Sequence, residues 1–584
     1  MKLLFPILAI GLASPASQNS IPDLAKLETK FEKLMTGCQM VGKFTMRDGK
    51  KPAQQESYTI SKVTKVSGSK WRFFAKIQYL GVNVTVPLLV DVKWAGNTPM
   101  IQVTKMKIPG IGTYSARVLI YDGEYAGTWS GKNYGGQMFG KIVRAPQDKP
   151  NKQDKQARAT WGSWRGTDGN AVGTGKPPTE WDEKDGKNIK WQIPIAGRGS
   201  SSPIVWGDRV YITTAIDTEK KGSASSDQGG GRRRGGFGGF GSATPTTVYD
   251  FVVMALNRKD GSVAWKKKVN SAVPHEGGHA TSTQASNSSL TDGKHIWAHF
   301  GSRGLHCLDM QGEIKWSKDF GKMRTAASFG EGSSPTLYRD TLVMIWDHEG
   351  ESFIAALNKE TGDELWRNNR RQGTTWATPL VVPVDGKPQV IMPGARSSRA
   401  YDLKSGKEIW NLSGLTRNAI PTPLHRNGVI YLMSGFMGSS LQAVKLAGAK
   451  GNLRSSDNVV WTYKRNTPYT PTGVVYGDYL YFLRVNSGVL TCLNAETGKV
   501  HYEGQRLRRV GTTYSSIVGA NGHVYITSRR GWTKVVKVGE DYVDVASNRV
   551  RDTVDSTFAI VDDEIYIRGW KNLYCIAEDE KKGE

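Results

Sequence analysis

Asp260-Gly261-Ser262-Val263-Ala264-Trp265 sets a tryptophan four residues behind a glycine turn, and the arrangement keeps returning along the chain. Gly312-Glu313-Ile314-Lys315-Trp316, Gly362-Asp363-Glu364-Leu365-Trp366 and Gly406-Lys407-Glu408-Ile409-Trp410 repeat it, and Trp461 follows. The tryptophans are spaced by 51, 50, 44 and 51 residues. A period of forty to fifty is that of four-stranded blades arranged radially, because one such sheet cannot bury both of its faces by itself. The reading is therefore an all-β propeller.

The rest of each repeat supports this frame. A small or hydroxylated patch, often with proline, opens the inner strand, as in Ser201-Ser202-Pro203, Ser333-Ser334-Pro335, Ala377-Thr378-Pro379 and Pro421-Thr422-Pro423. A tight turn follows, then an aromatic second strand such as Leu480-Tyr481-Phe482, then an Ala-Leu-Asn or Cys-Leu-Asn third strand. Fourth strands centre on Trp265, Trp316, Trp366, Trp410, Trp461, Tyr502, Val543 and Trp191. The last blade lacks its own outer strand, and residues 188–193 around Trp191 have the pattern and no blade to belong to. Pairing the two closes the ring and removes an exposed edge. Eight blades result, with seven the alternative because the Val543 blade is weakly patterned.

The 584 residues exceed one propeller. Residues 1–17, with Lys2, an apolar run to Ala13 and a small-residue end, read as an export signal too short to span a bilayer. Residues 21–146 open with an amphipathic helix bearing Leu24, Leu27, Phe31 and Leu34. They continue in period-two strands, predicting an antiparallel barrel or sandwich in which a barrel mouth could hold an apolar ligand. Residues 147–159 form a polar linker, 160–577 the propeller and 578–584 a charged tail. Residues 219–246, rich in glycine with Arg232-Arg233-Arg234, form a solvated insertion that cannot bury a core. Cys307, Cys492 and Cys575 fall in one slot of the repeat, filled elsewhere by Ala255 and Ala356. They act as small buried hydrophobes and not as disulfide partners. The net charge of +26 suits anionic partners, and the exported address disfavours nucleic acid.

Strand order predicts two unlike rims. First-to-second and third-to-fourth turns give a plain rim of Gly-Asp, Thr-Gly and Ser-Gly. The other rim combines interblade and second-to-third loops. It carries Arg303, Arg396, Arg399, Arg417, Arg484, Arg529 and Arg568, with Trp376, Tyr469 and Trp570 among them. Guanidinium groups converging there would suit carboxylates or phosphates. His275 and His279 are a candidate metal pair, and Asp347-His348-Glu349 has similar standing. Their loops do not impose a ligand face as a helix would. No nucleophile elbow, zinc-protease helix or phosphate loop appears.

The Ala-Leu-Asn-x-x-x-Gly-x-x-x-Trp frame resembles the PQQ-like repeat of eight-bladed propellers. This family includes quinoprotein alcohol dehydrogenases and the outer-membrane protein assembly factor BamB. The segment Trp161-Gly162-Ser163-Trp164-Arg165-Gly166 resembles exported propellers of planctomycete-type bacteria. The resemblance covers about residues 160–577 and implies a fold more than an activity. Its dehydrogenases carry PQQ, calcium and in many members vicinal cysteines, and this chain has no adjacent cysteines.

Two functions are in view. The first is an exported, non-catalytic platform in the periplasm or cell envelope, a monomer without cofactor. It would bind protein or an anionic envelope polymer, with membrane-surface association a further outlet for its charge. The alternative is a PQQ- and calcium-dependent oxidoreductase of alcohols or sugars.

Overall fold

The computed structural model describes residues 24–47, 53–79, 82–108, 112–132, 134–144, 160–222 and 244–578. The residues read as export signal and linker, and most of those read as insertion, lie outside them. Two compact units emerge, divided after Asn151.

The first unit is a closed barrel, which decides between the two architectures the sequence allowed. Helix α1 (Leu24–Met35) leads into β1 (Cys38–Phe44), β2 (Gln54–Ser67), β3 (Lys70–Tyr79), β4 (Val82–Ala95), β5 (Thr98–Ile108), β6 (Gly112–Tyr121), β7 (Glu124–Ser130) and β8 (Gly135–Arg144). Each strand pairs with the next, and β1 also pairs with β8. The helix turns Phe31 and Met35 inward, and leaves Leu24 and Leu34 exposed, unlike the face read from sequence. The Phe31 ring meets Trp71, Phe73 and Trp94 at centroid distances of 5.3, 6.2 and 5.9 Å, which stops that end of the barrel. Residues 82–94, which read as two strands, form one strand through Pro87. Here β4 bonds only to β3 at that level, because its pairing with β5 covers just Asp91–Ala95 among the described residues, so the missing N–H of proline costs no ladder bond.

The second unit is an eight-bladed propeller. Blades 1 to 7 occupy residues 204–272, 290–318, 336–370, 380–412, 424–463, 474–506 and 518–549. Blade 8 takes three strands from 559–576 and its outer strand from Ile189–Pro194, with Trp191 opposite Cys575. The ladder of blade 1 extends to the pair Lys221 and Thr247, into the residues read as insertion.

Two devices hold the blades in register. A ring of hydroxyls runs around the inner strands: each backbone N–H of Ser202, Ser288, Ser334, Thr378, Thr422, Thr472, Ser516 and Thr557 donates to the hydroxyl of the next, at 2.9–3.3 Å. The hydroxyl-proline patches of the sequence are thus the joints of the ring, satisfying N–H groups that no strand partner reaches. At the periphery, the fourth-strand tryptophan docks on the glycine turn of the following blade. A Cβ added at Gly261, Gly312, Gly362, Gly406 or Gly498 would lie 2.6–2.8 Å from the rings of Trp191, Trp265, Trp316, Trp366 and Trp461 respectively. Those five indoles also donate to a carbonyl of that turn at 2.8–3.2 Å.

Blades that depart from the pattern compensate locally. Trp410 faces a longer segment of blade 5, where Gly451-Asn452 pairs with its strand, and its indole donates to Gln389 at 3.3 Å. In blade 7 the tryptophan slot belongs to Ala546, not Val543, and the facing residue grows to Val535. Trp181, from the segment before blade 1, stacks on Tyr525 in the same core cluster. No helix among the described residues is long and apolar enough to cross a membrane.

Candidate functional site

Interblade loops and second-to-third loops meet on one rim, as the strand order requires. Arg417 bridges Phe436, Pro468 bridges Val485, and the backbone N–H groups of Arg529 and Trp570 donate to Thr512 and Thr553. Aromatic and guanidinium groups of different blades come together there. Arg529 donates to Asp555 from Nε (2.7 Å) and Nη2 (3.2 Å), a fork that fixes its plane. That plane lies over Tyr514 at 5.2 Å and Trp570 at 5.3 Å, and Arg198 covers Trp570 at 3.8 Å. The two cations share the Trp570 ring, and the Asp555 carboxylate that Arg529 binds also attracts Arg198, which offsets their repulsion. Burial holds the Asp555 carboxyl above its ordinary range although Arg529 opposes this. Tyr469 continues the belt, stacked on Phe436 at 4.7 Å and accepting from Asn418. Trp376 is tied back to Gly330 through its indole N–H at 2.8 Å.

The remaining arginines divide by exposure. Arg396, Arg417 and Arg484 project from the rim with exposed side chains. Arg399 pairs with Glu408 at 3.2 Å. Arg303 donates to the carbonyls of Ser302 and Val273 and to His275, and so braces its own loop. Arg568 is 1% exposed, donates to Asn572, and is lowered to about 10 by burial. It belongs to the interior of blade 8 and does not present itself to a large ligand.

His275 donates from Nε2 to Met323 at 2.6 Å and accepts from Arg303 at Nδ1, which fills both ring nitrogens. His279 uses Nδ1 toward Thr281 at 2.7 Å. The two rings therefore serve their loops and do not aim at a shared point. Asp347 is spent on Arg370 (2.9 Å) in a pair with no exposed side-chain surface, and also accepts from Thr375. Glu349 accepts from Thr374. Beside His275, the half-buried Glu331 accepts from the Ser302 backbone (2.6 Å) and hydroxyl (2.5 Å), and desolvation raises it to about 7. It borders a polar recess of about 30 Å³, room for water only.

PQQ with calcium is the cofactor the resemblance implies. Among the described residues no three His, Cys, Asp or Glu side chains converge in a manner that would hold a metal ion, and all four cysteines are buried and apart.

Sequence reasoning missed Arg198, Phe436 and Asp555. Arg198 precedes blade 1 and has no place in the repeat. Phe436 and Asp555 sit in loops whose lengths differ from blade to blade, so no spacing pointed to them.

The family described as outer membrane protein assembly factor BamB matches residues 170–351, 249–430 and 350–583. The chain belongs to this family. Structures similar to the chain include BamB from Moraxella catarrhalis, 15% identical, covering 57% of this chain and 90% of that one with a TM-score of 0.42. Quinohemoprotein alcohol dehydrogenase ADHIIG from Pseudomonas putida HK5 is 11% identical, covering 73% and 81% with a TM-score of 0.46. A europium-containing methanol dehydrogenase is 11% identical, covering 72% and 99% with a TM-score of 0.39. No curated protein matches the chain. The match falls on the propeller unit and leaves the barrel outside it.

Proposed function

We propose that the propeller is a non-catalytic binding platform of the cell envelope, reached by export, that takes a protein face or an anionic envelope polymer on its arginine- and aromatic-rich rim. The observation that carries this reading is the stack of Arg198, Trp570, Arg529 and Tyr514, contributed by separate loops, on the rim where the loops of other blades expose Arg396, Arg417 and Arg484. Half-buried aromatic and arginine anchors are what interfaces use, since they offer large contact area with few rotatable bonds. The family's description as an outer membrane assembly factor supports a protein partner, and the net charge of +26 supports an acidic one.

The test compares retention on an immobilised acidic polymer for R396A/R417A/R484A and for the charge-matched K404A/K407A/K499A, whose lysines lie in turns of the opposite rim. Elution of the arginine variant at lower salt than both the lysine variant and the parent supports the reading. Equal loss from both variants reduces it to net charge and ends it. Dye reduction with alcohols or sugars after addition of PQQ and calcium would replace it with the oxidoreductase alternative.

A further inference from the structure

The barrel interior is not fully packed. Met40, Phe44, Phe73, Val90, Ile101 and Met138 wall a cavity of about 180 Å³, and one carboxylate, that of Glu56, reaches its surface. The cavity lies away from the helix-stopped end. It is bounded by residues at the opposite ends of the strands, including Phe44 at the close of β1, Met106 on β5 and Trp129 on β7. At that end the wall parts. Here β4 pairs with β5 only across Asp91–Ala95 and Thr98–Gln102, and β5 beyond Gln102 bonds only to β6 among the described residues. Leu88, Val103 and Met106 border the cavity beside this parting and stay half-exposed although they face inward.

Glu56 is 4% exposed and sits in an otherwise apolar wall. The phenol of Tyr58 donates to Oε2 at 2.8 Å and that of Tyr125 to Oε1 at 3.0 Å. The second bond requires special backbone. Tyr125 reaches Glu56 across Gly42 and Gly140, where an added Cβ would come within 2.5 Å of its hydroxyl and 2.8 Å of its ring respectively. Two strands thus surrender side chains on the inner face so that a tyrosine from a third can hold one acid. No cationic side chain acts on Glu56 among the described residues. A buried carboxylate with two neutral donors keeps lone pairs and charge uncompensated. The group that supplies both a hydrogen-bond donor and the missing charge is an ammonium. A carboxylate or phosphate head would set like charge against Glu56 in a low-dielectric wall.

We propose that the barrel is a binding site for a small cationic amphiphile: a primary amine whose ammonium pairs with Glu56 and whose apolar part fills the cavity. The volume sets the size. A dry cavity of about 150 Å³ takes benzene, so this one encloses roughly seven heavy atoms, one ring or a short alkyl chain, and a slightly longer chain would end at the parted wall. This site is independent of the rim reading, which concerns the other unit.

The test is calorimetric titration of the full-length protein with octylamine, octanol and octanoate, which share a chain and differ in head. Octylamine should bind at least tenfold tighter than octanoate, with octanol between them. E56Q should remove most of that preference. A116F, which fills the cavity from β6 without touching Glu56, should abolish binding of all three and so serves if E56Q does not fold. Octanoate binding as tightly as octylamine, an unchanged preference in E56Q, or no binding by any of the three would overturn the proposal.

Discussion

The backbone N–H of Thr557 donates to the hydroxyl of Ser202 at 3.0 Å, joining residues 355 positions apart in the chain. It is the bond that completes the hydroxyl ring, since the other seven run forward from blade to blade and this one returns to the start. A propeller is otherwise closed by its shared last blade, so the ring is held at two radii: hydroxyls near the axis and the strand of Trp191 at the periphery. The Arg258 guanidinium adds a third tie at the same seam, with Glu564 at 2.6 Å and Asp562 at 3.1 Å.

Removing one hydroxyl should therefore weaken the whole ring. Thr422 accepts from the Thr378 N–H at 3.0 Å and donates to the Thr378 carbonyl at 2.6 Å. Thr422→Val keeps shape and volume but leaves the buried N–H without an acceptor, which costs about 1–3 kcal/mol. Denaturant unfolding of the propeller should show a lower midpoint with the slope unchanged. A midpoint equal to that of the parent would show that the ring is ornamental.

Trp191→Ala should cost more. Its ring is buried against Gly261, its indole donates to Arg258, and its strand completes blade 8. Truncating a buried tryptophan removes about 3–5 kcal/mol, and here it also loosens the strand that closes the ring. Limited proteolysis should then cut near residues 186–200 in the variant while the parent survives. Equal survival would place the closure elsewhere.

The cysteines should be silent. All four are buried, and burial pushes the Cys307, Cys492 and Cys575 thiols up to about 12. Each of these three faces the aromatic of its fourth strand, Trp316, Tyr502 and Trp191 in turn. A chromogenic thiol reagent should find no reactive group in the native protein and all four after denaturation. Fewer than four after denaturation without reductant would reveal a disulfide.

The fold was legible because a repeat states its packing rule many times. The glycine four residues before Trp265, Trp316 and Trp366 marks the turn on which the preceding blade's tryptophan docks, as does Gly406 before Trp410, and the small residue of the third strand marks the slot opposite. Blade 7 obscured that rule because Trp181, outside any blade, supplies ring surface beside Ala546, so counting from Val543 set the strand off its true centre. The rim was legible in topology only. Loop residues can be assigned to a rim from strand order, but sequence does not reveal whether an arginine turns outward. Arg396 does, whereas Arg568 lies inside and Arg399 turns to Glu408. The barrel's alternation was plain. Its cavity was not, because Glu56 and Tyr125 are 69 positions apart and only the closed sheet brings them together.

Glu331 gives the propeller a dependence on pH whose sign follows from its surroundings. Its carboxyl is held by Ser302 with the charge of Glu276 acting on it, and desolvation raises it from an ordinary 4.5 to about 7 in spite of the Ser302 bonds and Arg303. Below about pH 4.5 the group is protonated in folded and unfolded chains alike, and its contribution to stability is fully present. Between 4.5 and 7 the unfolded chain ionises while the fold retains the proton, so each rise in pH favours unfolding. Above 7 the whole contribution, on the order of 3 kcal/mol, has been lost. Histidines with lowered values, such as His299 at about 4, act in the opposite sense. The informative quantity is therefore the difference between the parent and Glu331→Gln, whose amide can still accept the Ser302 N–H and donate to its hydroxyl. The parent should lose stability relative to the variant as pH rises from 5 to 8, read as the gap between their unfolding midpoints. A gap that stays constant over that interval would mean that Glu331 is ionised in the fold throughout, with a cation or water in the recess beside it.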